Sequence, residues 1–174
     1  MPLKVCCCAR RTRRVILNFD LLNNEDLFII MPKLTEDEIN DFLINYDYVM
    51  KLATLSSDGY PYVVPIWYFY EKGVFSVLGR PNNKWISNIY ENPKVSACID
   101  SPNPPYARVT FKADAEVADR EWFGEWEYLA HRYLGEENGH KYYEETKDVP
   151  RVLITFHPSK LISWNGGGWH PRYK

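Results

Sequence analysis

No stretch of this sequence is both long enough and apolar enough to cross a bilayer. Its most hydrophobic run, YPYVVPIWYFY from Tyr60 to Tyr70, is short and contains Pro61 and Pro65. A soluble protein is the expectation, with no membrane partner. A dominant charge is missing too: the net charge is −2, which does not suit a general nucleic-acid binder and its basic surface. Cysteine is scarce. Of the four, Cys6, Cys7 and Cys8 are adjacent and Cys98 stands alone, so no regular disulfide framework is expected and a cytoplasmic location is. No Cys or His falls at zinc-finger spacing, and no nucleophile elbow, Walker loop or metal-binding histidine pair occurs. His131 and His140 are nine positions apart with no third ligand evident, and Glu36, Asp37 and Glu38 read as charges at a helix start. No catalytic side chain and no metal site is therefore assigned. If a reaction takes place here, a cofactor carries it.

What is present suits one globular domain. The chain has 174 residues, 45% apolar and 25% charged, and an aromatic share of 16%. Tyr and Trp supply apolar area with a polar tip, which suits pockets and interfaces. Residues 1–30 differ from the rest. Arg10, Arg11, Arg13 and Arg14 sit beside the cysteine triplet, while Asn18, Asp20, Asn23 and Asn24 break any signal-like apolar run. This basic head is expected to pack loosely, with Met31 as the natural start; acylation of the triplet is an alternative reading. Residues 31–174 form the expected folded domain.

From Met31 the pattern is regular. Thr35-Glu36-Asp37-Glu38 is a capping box, and Ile39, Phe42 and Leu43 recur at helical spacing, which predicts a helix over about residues 36–45. Turn clusters at Ser57-Asp58-Gly59 and Glu71-Lys72-Gly73 separate β-branched and aromatic runs, which predicts a three-stranded meander. Its middle strand has no polar face. Val63, Pro65, Trp67 and Phe69 alternate with Tyr62, Val64, Ile66, Tyr68 and Tyr70, so both faces need a cover: a barrel interior for one, a second subunit or a flat ligand for the other. Pro65 lacks a ladder donor and belongs at an edge or bulge. Further on, Trp85 to Tyr90 reads as a short helix and KVSACID, ARVTFKADAEV, RVLITFH and KLISW as strands. Asp119 is expected to cap a helix bearing Trp122, Trp126, Leu129 and Tyr133, which Gly135 ends, with more helix around residues 140–146. About six short strands with few helices predict a mainly β, antiparallel barrel.

One stretch, SVLGRPNNKWISN, leaves a strand at Gly79 and starts a helix without an acidic cap. A helix start offers free amides and partial positive charge, to which Lys84 and Arg80 add full charges and Asn82 and Asn83 add donors. Phosphate binding is one reading; an ordinary Asn cap beside a solvated lysine is the other.

The order LATLSSDGYPYVVPIWYFYEKGVFSVLG, RPNNKWISNIYENPKVSACID, PPYARVTFKADAEV and HRYLGEENG, from Thr35 to Trp164, resembles the pyridoxamine 5′-phosphate oxidase-like family of flavin-binding split barrels. The resemblance implies a six-stranded antiparallel split β-barrel with a few flanking helices, acting as a homodimer. It implies flavin mononucleotide (FMN) in each of two grooves between subunits, its ring on Tyr62, Val63, Val64, Pro65, Ile66 and Trp67, and its phosphate on Asn82, Asn83 and Lys84 with Arg80 near. Val77 and Leu78 match the strand end beside the phosphate, Arg108 a polar cofactor contact, and Trp164 an aromatic residue near the ring. The oxidases proper carry basic residues where Tyr62, Trp67 and Asn83 stand here, and a glycine at Ala113. The Trp67-Tyr68 pair, PPYARV and RYLG resemble instead the branch whose members often use the deazaflavin coenzyme F-420. The implied function is an FMN- or deazaflavin-dependent oxidoreductase moving a hydride to or from a small-molecule substrate. The alternative is a non-catalytic flavin- or haem-binding storage module. No nucleic-acid partner is implied.

Overall fold

The computed structural model describes residues 32–168. The expected loose head, residues 1–30, the boundary at Met31 and the end of the C-terminal tail lie outside the described residues.

The first element, α1 (Glu36–Ile44), begins with the expected reciprocal cap. Thr35 Oγ1 accepts from the Glu38 amide at 3.3 Å, and the Thr35 amide donates to Glu38 Oε2 at 2.7 Å. Eight strands follow: β1 (Met50–Leu55), β2 (Pro61–Ile66), β3 (Tyr68–Glu71), β4 (Val74–Gly79), β5 (Lys94–Asp100), β6 (Ala107–Trp122), β7 (Arg151–Phe156) and β8 (Ile162–Asn165). Helices α2 (Lys84–Glu91), α3 (Glu127–Leu134) and α4 (Glu136–Thr146) punctuate them.

Every strand pair is antiparallel, in the order β2-β1-β5-β6-β7-β4-β3, with β8 added against β6. The two ends of that path, β2 and β3, are successive pieces of one chain run joined at Trp67. A sheet whose ends are covalently continuous must curl back on itself, and here it forms the wall of an antiparallel half-barrel. The single middle strand expected from sequence is thus two strands, one in each half. Pro65 sits where its missing amide is harmless, in edge strand β2, which pairs only with β1.

Alternation along the strands divides the wall. Met50, Leu52, Tyr68, Phe75, Val77, Ile99, Val109, Ile154 and Phe156 are all at most 1% exposed and fill the interior. Helix α2 closes one end with Trp85, Ile86 and Ile89. Its approach depends on Gly79, where a Cβ would lie 2.3 Å from Trp85 Cζ2 and 2.6 Å from Ile86 Cδ1.

One expected element is corrected. Asp119 caps no helix; it lies inside β6, which runs on to Trp122, and α3 starts only at Glu127. The pairs Val117–Ile154, Asp119–Leu153 and Trp122–Arg151 continue the ladder through two irregularities. Strand pairing with β7 therefore overrides the helical spacing of the apolar residues. Gly135 does end α3, at φ 79°, and also begins α4.

Candidate functional site: a strand end, a helix start and a buried arginine

Two neighbouring features rise from the end of β4. The first is the start of α2. The amide of Asn83 donates to the Arg80 carbonyl at 2.9 Å, closing a tight turn that aims the helix start outward. Asn83 is the N-cap in extended conformation with no side-chain cap bond, and the first turn contains no acidic residue. Asn82 and Lys84 are exposed and Asn83 is half-buried. The helix is held from beneath: Asn88, fully buried, donates through Nδ2 to Thr54 Oγ1 at 3.0 Å. A rigid helix start with positive charge and no competing carboxylate can receive an anion.

The second feature is a cavity of about 220 Å³ whose lining includes Pro65, Ile66, Trp67, Leu78, Trp126 and Arg151. Leu78 and Trp67 belong here with the second apolar cluster, around Trp126 and Tyr143 on the outer side of the wall. The outward face of the β2–β3 run is divided. Trp67 is covered by Tyr133 of α3 and Tyr142 of α4, and Phe69 packs in the same apolar cluster and lines a recess with Trp122, whereas Pro65 is exposed and Val63 is 58% exposed. On the inward face Val64 and Ile66 pack on the core, and Tyr62 is 39% exposed near the strand start.

Arg151 is a site residue that the sequence does not mark. It opens β7, is 7% exposed, and stacks its guanidinium 3.9 Å from the Trp126 ring centroid. Nη2 donates to Thr146 Oγ1 at 3.0 Å, but Nε is buried without a hydrogen-bond partner. Among the described residues no carboxylate lies within ion-pair reach of it. Burial pushes its pKa down and the nearby Arg80 charge pushes the same way, while Tyr142 opposes them. A buried charge without a counter-ion costs several kcal/mol, of which stacking on an indole returns about 2 kcal/mol. The cavity is therefore electrostatically suited to a ligand with negative charge.

Of the sequence-assigned residues, Tyr62, Val63 and Val64 lie on β2 outside the lining of this cavity, and the others fall into three sets. Pro65, Ile66, Trp67, Leu78 and Arg80 gather around the cavity and Arg151, and Asn82, Asn83 and Lys84 adjoin them across one turn. Val77 is fully buried with its side chain in the core, so only its backbone faces the site. Arg108 and Trp164 pair across β6 and β8, the guanidinium 5.5 Å from the ring centroid. Strands β5 and β1 lie between β6, which carries Arg108, and β2, a separation of about 14 Å at the usual strand spacing, and β8 with Trp164 lies beyond β6. Within one chain they do not reach the cavity.

Another arginine builds the scaffold. Arg132 on α3 donates to the carbonyls of Leu43 at 2.8 Å and Tyr46 at 3.0 Å, and its charge sits over the rings of Tyr68 and Tyr133. It complements the C-terminal end of α1 and ties α3 to β3. Both arginines lie in short sequence runs with no local signal of a long-range partner.

Comparison with known proteins gives the geometry its context. No curated protein matches the chain by sequence. Among solved structures, a conserved hypothetical protein of Mycobacterium tuberculosis is 23% identical, with a TM-score of 0.62 over 76% of this chain and 86% of its own. An F420 reductase is 22% identical, with a TM-score of 0.56 over 70% of this chain and 94% of its own. A heme storage protein from Vibrio cholerae is 21% identical, with a TM-score of 0.53 over 72% and 90%. These likenesses establish a shared fold. The sequence model for pyridoxamine 5′-phosphate oxidase matches residues 35–165, the span that includes the wall, α2 and the cavity, and the chain belongs to that family.

Proposed function

We propose that the protein is a homodimeric oxidoreductase that binds a flavin-type cofactor, FMN or the deazaflavin coenzyme, and exchanges a hydride with a small molecule. The observation that carries this reading is the buried, partnerless Nε of Arg151 in an aromatic cavity beside the strand Pro65 to Trp67. A planar ligand with an electron-rich, anion-forming edge fits that arrangement, and its phosphate fits the acid-free start of α2.

The bound cofactor would supply the hydride-accepting and hydride-donating centre. The chain's residues bind and orient. Lys84, Asn82, Asn83 and Arg80 hold the phosphate, the β2 backbone and Trp67 wall the ring, and Arg151 supplies positive charge. A charge-assisted hydrogen bond contributes about 1.5–3 kcal/mol net, whereas micromolar retention needs about 8 kcal/mol. Burial of ring surface, at roughly 25 cal/mol per Å², must provide the remainder. A second copy would deepen that burial. The outward face carries Val63 and Ile162, 58% and 56% exposed, beside a recess of about 610 Å³ reaching Lys51, Cys98 and Thr110. Pairing through this face would bring Arg108 and Trp164 of one copy toward the site of the other.

Titration of the ligand-free full chain with FMN and with the deazaflavin coenzyme, followed by fluorescence, tests binding. Micromolar affinity for one of them is expected; affinity for neither sinks the reading. Anaerobic reduction of the complex and addition of acceptors then separates turnover from the storage alternative, in which no turnover occurs.

A further inference from the structure

We propose that Glu127, His131 and His140 form a binding site for a zinc-class divalent transition-metal ion at the junction of α3 and α4. The proposal does not depend on the cofactor reading. Glu127 and His131 stand one helical turn apart on α3 and share a face. The chain then reverses at Gly135, and α4 packs against α3 at Gly139. A Cβ at Gly139 would lie 2.7 Å from both His131 N and His131 Cδ2, and 2.8 Å from the Ala130 carbonyl carbon, so only glycine permits this crossing. The next residue, His140, is thereby delivered over Glu127.

The three side chains converge. Glu127 Oε1 is 2.6 Å from His140 Nδ1 and 3.5 Å from His131 Nε2, and one ligand atom from each residue lies within 4.8 Å of the other two. His131 Nε2 is buried and has no hydrogen-bond partner. A plain His–Glu pair accounts for His140 but leaves that nitrogen unsatisfied. A metal ion accounts for all three. Tetrahedral zinc, with bonds of about 2.0–2.1 Å, separates its ligand atoms by about 3.3 Å, which falls inside the spacings observed. Two imidazoles and one carboxylate favour zinc or its neighbours over calcium or magnesium, which prefer oxygen shells. Three protein ligands leave a position for water or a further ligand. Because α3 and α4 carry Tyr133 and Tyr142 against Trp67, a metal here would fix the cover of the aromatic cavity.

Full-length protein, stripped with chelator, is titrated with Zn²⁺ by calorimetry and with Co²⁺ by visible absorption. The expected result is one equivalent at micromolar affinity or tighter, Co²⁺ bands of low-coordinate nitrogen and oxygen ligation, and a raised melting temperature. Glu127→Gln and His140→Ala, both at the partly exposed rim, should each weaken binding at least about tenfold and abolish the thermal shift. His157→Asn, outside the cluster, should bind as the unaltered protein does. Only millimolar affinity, unaltered binding by the Glu127 and His140 variants, or loss of binding in the His157 variant would overturn the proposal.

Discussion

The indole of Trp67 and the ring of Tyr133 lie face to face, their centroids 5.1 Å apart and their planes 3° from parallel. Tyr142 meets the same indole edge-on at 5.8 Å. Trp67 is therefore a wall held by the chain's own helices, and the uncovered part of the strand begins at Pro65. Trp67→Ala should lower stability by about 3 kcal/mol, whereas Tyr133→Phe, which keeps the ring and loses the hydroxyl's hydrogen bonding to the Tyr48 carbonyl at 3.4 Å and to the Tyr68 backbone, should cost less, about 1–2 kcal/mol. Urea denaturation midpoints check both. Equal midpoints for Trp67→Ala and the parent would show that the stack contributes nothing.

Gly79 sets the position of α2. Gly79→Val forces side chains into the space taken by Trp85 and Ile86, so the helix must shift. A loss of about 1–3 kcal/mol is expected, together with weaker cofactor binding, since the anion-receiving turn moves with the helix. Gly79→Ala should do the same in smaller measure. Unchanged stability in both would mean that α2 does not pack on this backbone as described.

How much of this was readable in advance depends on the range of the interaction. The capping box at Thr35, the hairpin turns and the stop at Gly135 are local, and each is where its residue chemistry requires. The alternation along Tyr62 to Tyr70 shows that both faces need a cover but not which of them is the interior; the structure gives Val64, Ile66, Tyr68 and Tyr70 to the core. Asp119 and Trp122 depart from the sequence expectation because apolar residues at helical spacing can equally sit on a strand with irregular register, and only pairing with β7 decides between them. Arg132 lies in the RYLG run that carries part of the family resemblance, but neither it nor Arg151 or Glu127 carried a signal of its long-range partner. Their partners are brought in by the packing of α3 and α4, and a carboxylate at a helix start looks like any other until His140 is laid against it.

Tyr68 and Tyr133 are phenols enclosed by the fold. Burial raises both pKa values, with Arg132 opposing. The unfolded value is about 10, so the fold favours the neutral phenols. Their contribution to stability is complete below about pH 10 and is lost as pH rises toward the folded-state values. Tyrosinate absorbance should show a group of the 13 tyrosines that ionises only as the protein unfolds. A single reversible step near the ordinary value for every tyrosine in folded protein would refute the burial of these two rings.

Pairing through the outward face predicts a dimer at micromolar concentration in sedimentation. Val63→Glu combined with Ile162→Glu places charge on two side chains that are already solvent-accessible in one chain, so the variant should remain folded by circular dichroism yet sediment as a monomer. A variant with the parent's mass would move the interface elsewhere, and a monomeric parent would remove it.

The most direct test is the affinity of Lys84→Ala for FMN and for the deazaflavin coenzyme, measured by fluorescence titration beside the parent. The Lys84 side chain is exposed and makes no hydrogen bond or ion pair among the described residues, and the bond from Ser87 Oγ to the Lys84 backbone carbonyl survives the substitution. The variant should therefore keep its melting temperature while binding at least about tenfold more weakly, the loss of one charge-assisted contact. Identical affinities in variant and parent would contradict a phosphate held at the start of α2.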